Sequence, residues 1–438
     1  MSDQQIEQPF GQLLRVFVEP SHALPLVHFQ LLIPEGSLAD PVGQEGLTRL
    51  AARMLRRGTR ARDARNIDET IDSLGAELGI DTTPSFIRLS GSVIRRNLEP
   101  MLSLVAELVR EPSFPEGELE QLKRESIATL LELTDNDQGL CASQFRRALF
   151  QGHPYARSTL GTRASILAIQ HAAVVARYGE LAKRARVAAF SGAITCEEAE
   201  AFSARYFGSP DARITERSRP PEPSAPRGRQ LVIVDKPERS QTQIQLGSLG
   251  THPRDPDHTA LLVGNAVFGG TFTSRLMRAV RSERGWSYGA SSRLAIDRVR
   301  EAFSIWTFPA AADAVPCIEL ELKLLEEWLE RGITAEELAF AKSYLMKSHA
   351  FSVDTADKRV EQALDVWLYD LPDDYFSGYT TRIEQVELAQ INAALKRRLS
   401  AQDLVITVLA TEAEIGAALR GLPGVENVRV VPFDVDAS

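Results

Sequence analysis

Alternating and helical spacings of apolar residues divide the chain into two series of elements in the same order. Residues 15–20, RVFVEP, read as a strand, and Leu26 to Ile33, LVHFQLLI, alternate as a second. The polar stretch PEGSLADPVGQEG follows, then GLTRLAARMLRRGT at 46–59, where Leu47, Leu50, Met54 and Leu55 share one helical stripe. Gly58 stands where a left-handed helix end is expected. Further on, QLVIVDKP reads as a strand and TQIQLGSLG (242–250) alternates. The polar THPRDPDHTA and the helical ALLVGNAVFGG follow. Self-similarity on this scale predicts two domains of one fold.

Each series then runs on alike. DETIDSLGAEL and TSRLMRAVRSERG have helical spacing, and GIDTTPSFIRLSGSV and WSYGASSRLAI read as strands. Four long amphipathic helices follow, two per half: LEPMLSLVAELVRE, EGELEQLKRESIATLLELTD, PCIELELKLLEEWLERG and TAEELAFAKSYLMKSHA. The apolar strands VAAFSGA and DLVITVLA close the halves, each before a helix opened by Thr and acidic residues, Thr195 and Thr411. The pattern predicts an α+β chain, each domain a β-sheet covered on one face by helices. The proline-rich ERSRPPEPSAPRGR reads as an exposed linker. The expected division is 1–215, linker 216–229, and 230–438.

Composition narrows the function. With 438 residues, 44% apolar and 25% charged, the chain can bury two real cores. A net charge of −9 argues against a general nucleic-acid binder. Cys141, Cys196 and Cys317 are far apart without C-x-x-C spacing, so single thiols are expected rather than disulfides or a zinc ribbon. No apolar run is long enough for a membrane span. The start, MSDQQIEQPFGQ, has no secretory pattern, so the cytoplasm is expected for the chain as written, or the periplasm if a signal peptide has been removed. His252 and His258 flank PRDPD without helical spacing and are expected as surface or satisfied imidazoles.

One feature of the first helix is costly. Arg49 and Arg53 sit four residues apart on one face beside the apolar stripe, where they repel each other. GLTRLAARMLRRGT resembles the segment G-L-x-H-x-x-E-H-x-L-x-x-G-T of pitrilysin/insulinase-type (inverted zincin) peptidases. The shared positions are Gly46, Leu47, Leu55, Gly58 and Thr59, and GSLAD (36–40) resembles the lead-in. In active members the two histidines hold zinc and the glutamate activates its water. This chain has Arg49 and Arg53 at the histidine positions and Ala52 at the glutamate position. Guanidinium has no lone pair to give a metal, and alanine takes no proton. The resemblance therefore implies a chain inactive alone, with no metal or other cofactor of its own.

RESIATLLE (124–132) resembles the family's helix carrying the third ligand, Glu132 matching the ligand and Glu125 its companion. The expectation is that Arg49 or Arg53 pairs with Glu132, a fixed cation in the metal's place. FGGTFTSRLMRAVRSERGWSY (268–288) resembles the family's second-half segment. Its Arg and Tyr, which bind substrate and stabilise the transition state, are by position Arg281 and Tyr288. GHPYARSTLGT (152–162) resembles a further family segment. The resemblance implies half of a clamshell: a non-catalytic, substrate-binding subunit of a heterodimeric zinc peptidase. Its homologous H-x-x-E-H partner carries the zinc, and peptides are the substrate. The alternative is an inert scaffold subunit of a larger complex.

Overall fold

The computed structural model describes residues 14–208 and 219–438; the expected leaderless start, the end of the first domain and the first three linker residues lie outside them. The described residues form two compact units. One takes in the chain up to Leu130, from Arg157 to the linker, and Phe351–Leu368; the other holds Leu131–Ala156, Arg219–Ala350 and Tyr369–Ser438.

The first unit is built on five strands: β1 (Leu14–Pro20), β2 (Leu26–Ile33), β3 (Glu77–Thr82), β4 (Ile87–Ile94) and β5 (Arg186–Gly192), in the order β1-β5-β2-β4-β3. Only β1 and β5 run parallel. The second has β6 (Arg229–Asp235), β7 (Gln243–Leu249), β8 (Ala290–Leu294), β9 (Ala302–Thr307), β10 (Leu404–Ala410) and β11 (Val425–Pro432), in the order β11-β6-β10-β7-β9-β8. Leaving out the added edge β11, the two orders are the same, so the repeat read in the sequence is a repeat of topology. Neither β9 nor β11 was separately marked by the sequence pattern.

Strand alternation builds the cores. In β2, Val27, Phe29, Leu31 and Ile33 face the helices, joining Leu47, Leu50, Met54 and Leu55 in one buried cluster. In the second unit Phe268 stacks on Trp328 with ring centroids 4.4 Å apart, and Phe303 packs against both.

The opposite face of each sheet carries one further helix, supplied by the other half of the chain. Ala356–Leu368 packs on β1 and β5, and its Glu361 accepts hydrogen bonds from Gln30 and Arg88 on β2 and β4 at 2.7 and 2.9 Å. Asp137–Leu149 packs on β6, β7 and β10, burying Cys141 against Val234 and Leu409. A division of the chain at the linker alone misses this exchange, because an amphipathic helix does not state in its own sequence which sheet it covers.

Local signals hold in part. Thr195 and Glu198 form the reciprocal cap expected of them. Thr411 does not cap: its hydroxyl donates to the Lys236 carbonyl, and the amide of Glu412 bonds Asp235 instead. All three cysteines are free; Cys141 and Cys317 are buried and Cys196 is half-buried.

Candidate functional site

The first region of interest is the helix Leu47–Arg53. Its N-terminus is fixed by GSLAD: the buried Asp40 carboxylate accepts the amides of Gly46 and Thr48, at 3.1 and 3.0 Å, and the Thr48 hydroxyl at 2.5 Å. Burial raises the Asp40 pKa, and these bonds with nearby Arg177 offset part of that. The helix runs only to Arg53, tightens into a 3-10 turn over Met54–Arg56, and Gly58 follows with φ of +152°. Thr59 donates to Glu107 at 2.6 Å, and Arg62 pairs with the same carboxylate.

The degenerate motif faces the helix Glu116–Leu133. Arg53 lies 3.4 Å from Glu125, which is held more closely by Arg57 at 2.5 Å; Arg57 also reaches Glu118 at 3.5 Å. Arg49 makes one hydrogen bond among the described residues, to the Ser126 hydroxyl at 3.5 Å. Burial and then Arg53 lower the Arg49 pKa, with Asp81 opposing. For Arg53, burial lowers it, Glu125 opposes, and Arg57 adds to the lowering. Glu132, the expected partner, is exposed and makes no ion pair among the described residues. The correction has a geometric cause: Glu132 lies two helical turns, roughly 10 Å, beyond Glu125, and Arg53 is level with the earlier residue. Ala52 is fully buried in the core.

These residues do not fit zinc. Two permanently charged guanidiniums and a buried methyl stand where two imidazoles and a carboxylate would be needed. Among the described residues there is no group of three or more His, Cys, Asp or Glu able to hold a metal ion.

The second region lies in the other unit. Gly269 allows its helix to approach β8: a Cβ there would stand 2.6 Å from the Ser292 amide nitrogen. Ser274 caps the next helix, Arg275–Met277, which widens into a π turn over Arg278–Ser282. The chain reverses at Gly285, φ +66°, where a side chain would be strained. The reversal brings Arg281 and Tyr288 together. The guanidinium carbon sits 4.4 Å from the Tyr288 ring centroid and 4.7 Å from that of Phe272. Both rings are open to solvent, Tyr288 77% and Phe272 69% exposed.

The neighbouring arginines are spent on carboxylates. Arg275 grips Glu337 with two nitrogens at 2.7 and 2.6 Å, while Arg278 and Arg284 lie 3.9 and 3.4 Å from Glu283. Arg281 makes no ion pair among the described residues. Held by two rings, its N–H groups remain available to an incoming carbonyl or carboxylate. Phe272 was not singled out in the sequence, since nothing in FGGTFTSRL places a ring over an arginine nine residues later.

The remaining candidates are structural. His153 Nδ1 accepts the Tyr155 amide at 3.0 Å, and its Nε2 lies 2.8 Å from the Pro221 carbonyl, tying GHPY to the linker. His252 bonds the Tyr369 carbonyl at 3.0 Å, and His258 meets Thr251 and Tyr375 at 3.0 and 3.2 Å. Both imidazoles are satisfied, as expected.

Comparison with known proteins places the chain in a family. Residues 15–163 match the model of insulinase (peptidase family M16), and residues 184–345 match that of the peptidase M16 inactive domain. The chain belongs to the M16 peptidase family. An M16 inactive-domain structure from Pseudomonas fluorescens superposes with a TM-score of 0.80 at 26% identity, covering 92% of this chain and 96% of that one. The "non-peptidase homolog YmxG" of Helicobacter pylori is 22% identical over 91% of this chain and 92% of its own length. An uncharacterized zinc protease of Mycobacterium leprae is 28% identical over 76% of this chain and 75% of its own. With its donor set replaced, this chain is an inactive M16 homologue. Among the described residues no helix is long and apolar enough to cross a membrane.

Proposed function

We propose that this chain is the non-catalytic, peptide-binding subunit of a two-chain zinc peptidase. A homologous partner bearing H-x-x-E-H supplies the metal and the general base. This chain supplies Arg281 and Tyr288 to the composite site, where a guanidinium and a phenol hydroxyl stabilise the oxyanion of the tetrahedral intermediate. The observation that carries the reading is the state of Arg281. It is the arginine of its segment left without a carboxylate among the described residues, and its guanidinium lies against two exposed rings, one of them that of Tyr288. A cationic donor with no competing carboxylate is suited to oxyanion stabilisation. β8, an edge strand, begins two residues after Tyr288, so an extended peptide adding to that edge would pass beside the pair.

The test is reconstitution. The chain and an H-x-x-E-H homologue from the same source are assayed separately and mixed on an unstructured peptide. The mixture alone should cleave. Arg281→Ala should lower kcat by about 100-fold or more, the scale of losing one such donor, with the partner's zinc content unchanged. Wild-type turnover from a mixture containing Arg281→Ala would point to the scaffold role instead.

A further inference from the structure

The arginines that replace the histidines carry more charge than their surroundings neutralise. Arg49, Arg53 and Arg57 recur every four residues, on one stripe facing the helix Glu116–Leu133. The nearest carboxylate, Glu125, is shared between Arg57 and Arg53, and Glu118 reaches only Arg57. Two other arginines of the segment are matched, Arg56 to Asp68 at 2.6 Å and Arg62 to Glu107. Arg49 has no ion pair among the described residues, and its one hydrogen bond there is a long contact to Ser126, whose hydroxyl is already donated to the Leu122 carbonyl at 2.8 Å. Asp81 acts on Arg49 only through its field and makes no ion pair with it among the described residues. A half-buried guanidinium with a single weak acceptor has lost hydration without regaining it from a counter-ion.

We propose that Arg49, backed by Arg53, is a binding site for a carboxylate group of the peptide, either its free C-terminus or an Asp or Glu side chain. The guanidinium fork matches a carboxylate in bidentate geometry, and the second arginine adds field and a further donor. The place that holds a cation in active relatives thereby takes an anion here. The peptide identity of the ligand rests on the function proposed above; the carboxylate site itself does not.

Two measurements separate these claims. The first is thermal unfolding of the full chain in glutarate and in the neutral glutaramide at matched ionic strength. Glutarate should raise the wild-type Tm above the glutaramide value, and Arg49→Gln should abolish that difference. Arg49→Lys, which keeps the charge but not the fork, should retain part of it. The second is fluorescence anisotropy with labelled unstructured peptides, free acid against C-terminal amide and internal Glu against Gln. The preferred acid should bind about tenfold tighter than its neutral counterpart, the worth of one charge-assisted contact, and Arg49→Gln should equalise them. Which acid is preferred tells the C-terminus from a side chain. A Tm difference lost in Arg49→Gln with no peptide binding would uphold the anion site and reject the peptide reading. A wild-type Tm no higher in glutarate than in glutaramide, or a difference that survives Arg49→Gln, would overturn the site; peptides bound without acid preference would reject its part in peptide binding.

Discussion

Glu321 should make the second unit lose stability as the solution becomes alkaline, and Glu321→Gln should remove that loss. The residue lies in the helix Ala314–Arg331 with no exposed surface, opposite Thr307 of β9. One carboxyl oxygen accepts the Thr307 hydroxyl at 2.6 Å and lies 3.5 Å from the Cys317 sulfur; the other has no hydrogen-bond partner. Burial pushes its pKa up to about 7 from 4.5, the bonds from Thr307 and Cys317 opposing only in part. Because the folded pKa is raised, the stabilisation is fully present below pH ~4.5 and is lost as pH rises through ~7. A rise of this size corresponds to roughly 3 kcal/mol. At about 2–4 °C per kcal/mol for a unit of this size, wild type should lose on the order of 6–12 °C of Tm relative to Glu321→Gln between pH 4.5 and 8. Calorimetric scans of both proteins across that range measure it. Asp365, whose pKa burial and Glu361 also push up to about 7, against Arg88, belongs to the other unit and cancels in the comparison. Parallel Tm profiles for wild type and Glu321→Gln would refute the reasoning.

The remaining predictions concern acid stability, the arginine stripe and the ring clamp. Burial holds the His258 pKa down at about 4, with His252 adding to the lowering, so its contribution is present above pH ~6.5 and lost as pH falls through ~4; His258→Gln should flatten the acid side of the Tm profile by about 3 kcal/mol. Arg57→Met should cost about 1 kcal/mol in denaturant titrations and Arg53→Gln less than half of that, because the half-exposed Glu125 is held mainly by Arg57. Phe272→Ala should leave Tm within about 1 °C, since the ring is exposed, yet weaken peptide binding several-fold, with Phe272→Trp restoring it.

The repeat, the α+β class and the order of the motifs were legible because each rests on local periodicity and spacing. What escaped the sequence depends on three-dimensional neighbours. The helices Asp137–Leu149 and Ala356–Leu368 were not marked in the sequence pattern, and their choice of sheet is a tertiary fact. The expected pairing of Arg49 or Arg53 with Glu132 failed on vertical offset: residues seven apart share a helical face, so the pattern could not say which glutamate stands level with the arginines. Arg57 took the nearer contact although the motif gave it no part. Arg281 and Tyr288 do lie together, because a glycine reversal between a helix end and a strand is visible as sequence. Phe272 was invisible because its contact depends on the loop's path.

The central claim is that this chain has no hydrolytic centre of its own. Its most direct test is zinc content and peptide cleavage measured on the same rigorously isolated sample, with zinc supplied. The account predicts less than stoichiometric metal and no cleavage. One bound zinc per chain, together with proteolysis abolished by a chelator and restored by zinc, would contradict it.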